Sequence, residues 1–256
     1  MATVLAAAML GIAANTSAFA AFAFDAKGSS GSRAAEAGFD VVGGRLQVTL
    51  LNTSSQDVLA PGDVLTAIFF DIKNNPKLTS VSAVLGVGSK VAYGPDGQPS
   101  GGVVGGEWGL ANGLSGAPLG AKKGISSSGL GGLFSAATFT GPNLAGPSAL
   151  DGVQYGILSA GDDIATGNGG ITGSGGLIKN SVVFTLSGLP AGFDVTRDIS
   201  KVTFQYGTGM TEPRFAATAV AGSVAVPEPS TCLAGILMLL PFAVRTLRCL
   251  LKDPTA

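Results

Sequence analysis

The sequence predicts an all-β protein, a β-sandwich of jelly-roll-like type with Gly-rich loops, and three observations carry that expectation. Ser181 to Ser187 and Ile199 to Gly207 alternate apolar and polar residues with the period of two that a half-buried strand requires. Val64 to Ile72 is apolar at nearly every position and rich in β-branched and aromatic side chains, the pattern of a strand buried on both faces. Forty glycines among 256 residues, with only 12% charged residues, suit short strands joined by tight turns better than helices.

Taken in order, Val4 to Ala14 is an Ala/Leu-rich apolar stretch with the length of a signal-peptide core. Ala18-Phe19-Ala20 then offers the small-x-small pattern of a cleavage site, and Ala21-Phe22-Ala23 is a second candidate. The first positive residue is Lys27, so a basic n-region is expected upstream of Met1. Residues 1–20 read as a signal peptide and 21–225 as the exported domain. Ala26 to Val42, composed largely of Gly, Ser and Ala, is expected to be a loose lead-in. Arg45 to Leu51 alternates and reads as the first strand. Turns at Asn52 to Asp57 and at Ala60-Pro61-Gly62-Asp63 deliver the chain to the doubly apolar strand. Asn74-Asn75-Pro76 ends that strand, and Leu78 to Val87 forms the next.

Glycine dominates from Tyr93 to Gly132. The single tryptophan, Trp108, reads as a cap packed over the core, with stacking on a sugar as the sharper alternative. The adjacent pair Lys122-Lys123 reads as solvated. Leu133 to Thr140 and Asp151 to Leu158 are expected strands, and Ser159 to Gly176 a long glycine loop. Arg214 to Ala225 supplies a last strand and a linker. The total is about eight short strands punctuated by Gly, Pro and Asn, the pattern of a sandwich.

The end of the chain carries the clearest order. Val226, Pro227, Glu228, Pro229 and Ser230 precede an uncharged run, Cys232 to Val244, and a basic cluster of Arg245, Arg248 and Lys252. The two prolines fix φ and lack an N–H, so this stretch is expected to stay extended and accessible to a processing enzyme. The run of 13 residues covers only ~20 Å as a helix, against ~30 Å of hydrocarbon. Extension to Leu251, with the arginines snorkelling, gives a transmembrane helix over about 231–251. The basic residues place the C-terminus in the cytoplasm before processing and the domain outside.

This arrangement resembles the PEP-CTERM sorting signal of Gram-negative bacteria, with Pro227-Glu228-Pro229 on the motif and residues 226–256 as the matching region. The resemblance implies an exosortase as partner, export through the translocon, and delivery to the cell surface or extracellular matrix of exopolysaccharide-producing bacteria. The tail departs from the pattern by running on through Leu250 to Ala256, with Cys249 among the basic residues. Leu51-Asn52-Thr53-Ser54, Asp63-Val64-Leu65-Thr66, Asp151 to Gly156 and Phe204 to Thr208 also resemble phrases of a subgroup of exosortase-sorted surface proteins.

Composition narrows the chemistry. Net charge is -1, so nothing favours a nucleic-acid partner. Both cysteines, Cys232 and Cys249, lie in the tail, so no disulfide is expected in the domain, and the absence of histidine removes Ser-His-Asp and Cys-His catalysis. Glu107, Asp162 and Asp163 are the carboxylates a glycoside hydrolase could use, but nothing in the sequence brings them together. Asp162, Asp163 and Asn168 are a weak calcium set in one loop, without EF-hand spacing. The expected protein is a non-catalytic surface or matrix protein without a cofactor, associated with exopolysaccharide. The alternatives are a carbohydrate-binding module or weak glycan-acting enzyme, and an unprocessed single-pass membrane-anchored domain.

Overall fold

Alternation in the sequence becomes two sheets in the computed structural model, which describes residues 22–220 apart from 30, 95, 96, 148, 167, 168 and 174. The first sheet runs, in spatial order, β14 (Thr218–Val220), β1 (Phe22–Lys27), β2 (Ala34–Val42), β3 (Arg45–Asn52), β11 (Ser181–Ser187) and β5 (Thr79–Leu85). The second runs β13 (Arg214–Ala216), β12 (Ile199–Tyr206), β4 (Leu65–Ile72), β9 (Ile157–Leu158), β10 (Leu177–Lys179) and β6 (Lys90–Ala92). β8 (Lys123–Ser126) joins β4, and β7 (Gly109–Asn112) joins β8. The protein is all-β. The pairings between these strands are antiparallel except that of β9 with β10.

Strand periodicity builds the core. Leu46, Val48 and Leu50 of β3 are fully buried and alternate with half-exposed neighbours. Val182, Phe184 and Leu186 do the same on β11. They meet Ile68, Phe70 and Ile72 of β4 and Phe204 of β12 in one cluster shared by both sheets. Phe39 of β2 and Phe70 of β4 touch edge to face across it, ring centroids 5.5 Å apart. The other face of β4 is also covered: Ala67 and Phe69 pack with Leu114, Ala117, Ala121, Leu130, Phe134 and Leu150. That second cluster explains why Val64 to Ile72 shows no polar alternation.

Two direct crossings link the sheets. β5 continues into β6 through Gly86 to Ser89, passing from the first sheet to the second. β13 continues into β14 across Ala217, whose N–H donates to Val202 (2.9 Å), and returns from the second sheet to the first. The end strands β5 and β6, and β13 and β14, are therefore joined by direct crossings, while β7 ends the branch that leaves β4 through β8.

Several expected elements differ. The predicted loose lead-in, Ala26 to Val42, contains the end of β1 and all of β2. Its small residues are not loop residues: Ala35 and Ala37 are buried on the inner face, where they leave room for Phe24 against Phe39. Leu133 to Thr140 is not a strand. Phe134 leans on Phe69 and Phe139 on Phe184, so packing of irregular backbone produces the buried apolar pattern there. Of Asp151 to Leu158 only the last two residues form a strand, because Gly152 (φ 59°) and Tyr155 (φ 54°) turn the preceding backbone. The expected last strand is two, broken at the crossing.

Candidate functional site

The loops around β9 gather most of the polar side chains that the sequence singles out. Asp162 follows β9 and is buried. Its Oδ1 accepts from the Val58 N–H (3.0 Å) and its Oδ2 from the Tyr93 hydroxyl (3.4 Å). The Lys179 ammonium donates to the Asp162 carbonyl. Burial raises the Asp162 carboxyl above the usual range, and burial together with Asp162 pushes the Tyr93 hydroxyl up to about 12. Asp57 ties down the next stretch: its Oδ1 accepts from the Asp163 N–H (3.0 Å) and its Oδ2 from the Thr166 hydroxyl. The Thr166 hydroxyl is the leading cause holding the Asp57 carboxyl below its ordinary value. Gly161 makes the junction possible, since a Cβ there would lie 2.3 Å from the Ser55 carbonyl oxygen.

These contacts bear on the calcium set. Asp162 is engaged by an N–H and a hydroxyl, the Asp163 carboxylate accepts from the Ala165 N–H (3.0 Å), and a lysine ammonium already sits beside the loop. Asn168 lies outside the described residues. Among the described residues no group of three or more His, Cys, Asp or Glu side chains is placed to hold a metal ion. The geometry is that of a hydrogen-bonded loop junction.

Next to this junction lies an open cleft of about 530 Å³. Pro61, Asp151, Gln154 and Thr208 line it together with glycines 146, 152, 170, 173 and 175. Among the described residues Asp151 is its single charged side chain, and it accepts from the Gln154 amide. Among the described residues no aromatic ring lines the cleft.

The remaining sequence candidates serve other loops. Glu107 is 3% exposed. Its Oε1 accepts from the Leu144 and Ala145 N–H groups, the latter at 3.0 Å, so the carboxylate latches the 143–145 loop. Desolvation lifts its pKa, and the two N–H donors only partly oppose that. Glu107 and the Asp162-Asp163 pair thus fasten different loops. Trp108 is fully buried, its ring 4.9 Å from that of Phe184, so it packs in the core and has no face for a sugar.

Lys123 departs furthest from expectation. The pair Lys122-Lys123 divides at the start of β8: Lys122, just before the strand, is exposed, while Lys123 is 1% exposed and donates to Asn75 Oδ1 at 2.7 Å. What the sequence did not provide was the recognition of β8 as a strand.

The candidate cleavage residues Ala18 and Ala20, the sorting residues Val226 to Ser230, and Arg245, Arg248 and Lys252 lie outside the described residues. So does the predicted span 231–251, and among the described residues no helix is long and apolar enough to cross a membrane. No protein-family model, curated protein or solved structure matches this chain.

Proposed function

We propose that this chain is an exported, non-catalytic surface protein, a β-sandwich that the C-terminal sorting signal routes to an exosortase at the cell envelope. One observation carries the reading: the order Pro227-Glu228-Pro229, uncharged run, basic cluster at the end of the chain. An extended tag, a membrane-inserting segment and positive charges that stay in the cytoplasm are together what a membrane-embedded processing enzyme requires of its substrate. The described domain is compatible with display. Its buried carboxylates close loops, its one tryptophan is in the core, and it builds a hydrophobic interior without a cysteine. Association with exopolysaccharide is the partner class that the sorting resemblance favours. The contact between Phe39 and Phe70 supports the sandwich description.

A glycan-binding role ranks second and rests on the cleft beside Asp151 and Gln154. Sugar modules gain much of their affinity from exposed aromatic platforms, and none of the described aromatic side chains is exposed.

Intact mass of the protein from envelope and medium, in cells with and without the exosortase, tests the first reading. Loss of the residues after about Pro229, only when the enzyme is present, is the expected outcome. A mature mass that always includes Arg245 to Ala256 would overturn sorting and leave a tethered β domain.

A further inference from the structure

β8 begins at Lys123, whose cross-strand partners are Phe70 on β4 and Asn112 on β7. Directly opposed residues share a face of the sheet, so the lysine stem follows Phe70 toward the core and is almost wholly buried. Among the described residues the ammonium has one hydrogen-bond acceptor, the side-chain oxygen of Asn75 at 2.7 Å. A buried ammonium resting on one neutral amide is poorly compensated.

The geometry around the pair is tightly fixed. Asn74 and Asn75 both take positive φ, 62° and 45°, and the turn closes when the Asn75 N–H donates to the Ile72 carbonyl at 2.8 Å. Three residues later the Leu78 N–H donates to Asn112 Oδ1 (2.9 Å), and Asn112 Nδ2 donates back to the Leu78 carbonyl (3.0 Å). Because Asn112 and Lys123 are opposed on β7 and β8, the segment from Asn75 to Leu78 is fastened to that ribbon at both ends. The nearby carboxylate, Asp71, is occupied by the Lys201 ammonium (2.9 Å) and the Lys122 N–H. It attracts the Lys123 amine without accepting a bond from it. Burial draws that amine below its ordinary pKa, and Asp71 opposes this only in part. The neutral, nucleophilic form is thereby made more accessible.

We propose that Lys123 and Asn75 are the two partners of an intramolecular isopeptide bond. In the step, the neutral Lys123 Nζ attacks Cγ of the Asn75 carboxamide. The new N–C bond forms as the Cγ–Nδ2 bond breaks, the proton shed by Nζ passes to the departing nitrogen, and ammonia leaves. An amine and a primary amide become a secondary amide and ammonia, with no oxidant, metal or cofactor. Holding the two groups in contact supplies the high effective concentration that such an exchange needs. The product removes the buried charge and ties together residues 48 apart in sequence.

Mass spectrometry of the full chain tests this directly. The expected wild-type protein is lighter than its sequence by one ammonia. Trypsin digestion after denaturation should release a branched peptide in which Asn74 to Lys77 is attached to the peptide containing Lys123, with no cleavage after Lys123. Asn75→Ala and Lys123→Met should each restore the full mass and the separate peptides. The wild-type measurement stands even if a variant fails to fold. Asn75 cannot lose ammonia by cyclising onto the next residue, because Pro76 has no N–H. A wild-type chain of full mass with separate peptides, or one that lacks ammonia but yields no branch, overturns the proposal.

Discussion

Ala23 of β1 lies directly opposite Val220 of β14, so the first and last described strands pair side by side and antiparallel. The two ends of the described span are therefore neighbours on one sheet. Asp25 faces Thr218 in the same register, and β2 holds the other side of β1, with Phe22 opposite Phe39.

This pairing yields an expectation about which of the two proposed cleavage sites would be used. Removal of residues through Ala20 leaves β1 whole, whereas removal through Ala23 deletes Phe22 and Ala23 together with their pairings to Phe39, Gly38 and Val220. The mature N-terminus is expected at Ala21. N-terminal sequencing of the mature protein checks it, and a start at Phe24 would contradict the expectation. A chain shortened to Phe24 should also lose hydrogen-exchange protection at Val220.

Phe70 joins the two sheets through Phe39 and is fully buried. Phe70→Ala is expected to cost about 3–5 kcal/mol, the range for emptying a buried phenylalanine site. Val87, 74% exposed in the β5–β6 crossing, is the control, and Val87→Ala should stay within about 0.5 kcal/mol. Urea midpoints of the two variants measure the contrast. Similar losses for both would deny Phe70 its place between the sheets.

Gly106 sits where the chain passes the 142–143 backbone. A Cβ there would lie 1.9 Å from the Pro142 carbonyl oxygen, and no side-chain rotation can relieve a clash with backbone. Gly106→Ala should destabilise by about 1–3 kcal/mol or more, as overpacking does. A thermal midpoint equal to that of wild type would show that the 142–143 loop does not approach so closely.

Glu107 gives a pH dependence of definite sign. Its folded pKa is raised above the ordinary value of 4.5, mainly by burial. Such a group contributes stability that is fully present below the unfolded pKa and lost as pH rises through the folded pKa. Stability should therefore decline as pH climbs past 4.5, on account of this residue. Glu107→Gln keeps an acceptor oxygen for the Leu144 and Ala145 N–H groups but cannot ionise. Glu36 and Asp162 are also raised by burial, so the difference between wild type and variant isolates Glu107. Parallel stability curves for the two proteins across this range would refute the assignment.

The sequence by itself determined the all-β class and the strands whose pattern is local. Leu46 to Leu50, Val182 to Leu186 and Val64 to Ile72 announce themselves because a period of two, or its absence in a doubly covered strand, is written in consecutive residues. It also carries the order of prolines, uncharged run and basic residues after Val226 on which the proposed sorting rests, an order read from consecutive residues. Tertiary structure decided what depends on a neighbour distant in sequence. Ala35 and Ala37 form a strand because Phe24 and Phe39 need the space beside them, and Phe134 and Phe139 are buried without a strand because Phe69 and Phe184 receive them. Glu107 and Lys123 carry charges that composition assigns to solvent, yet the Ala145 N–H and the Asn75 amide, 38 and 48 residues away, hold them inside. A side chain's solvation is set by the groups that surround it in space, and those are fixed only when the strands have paired.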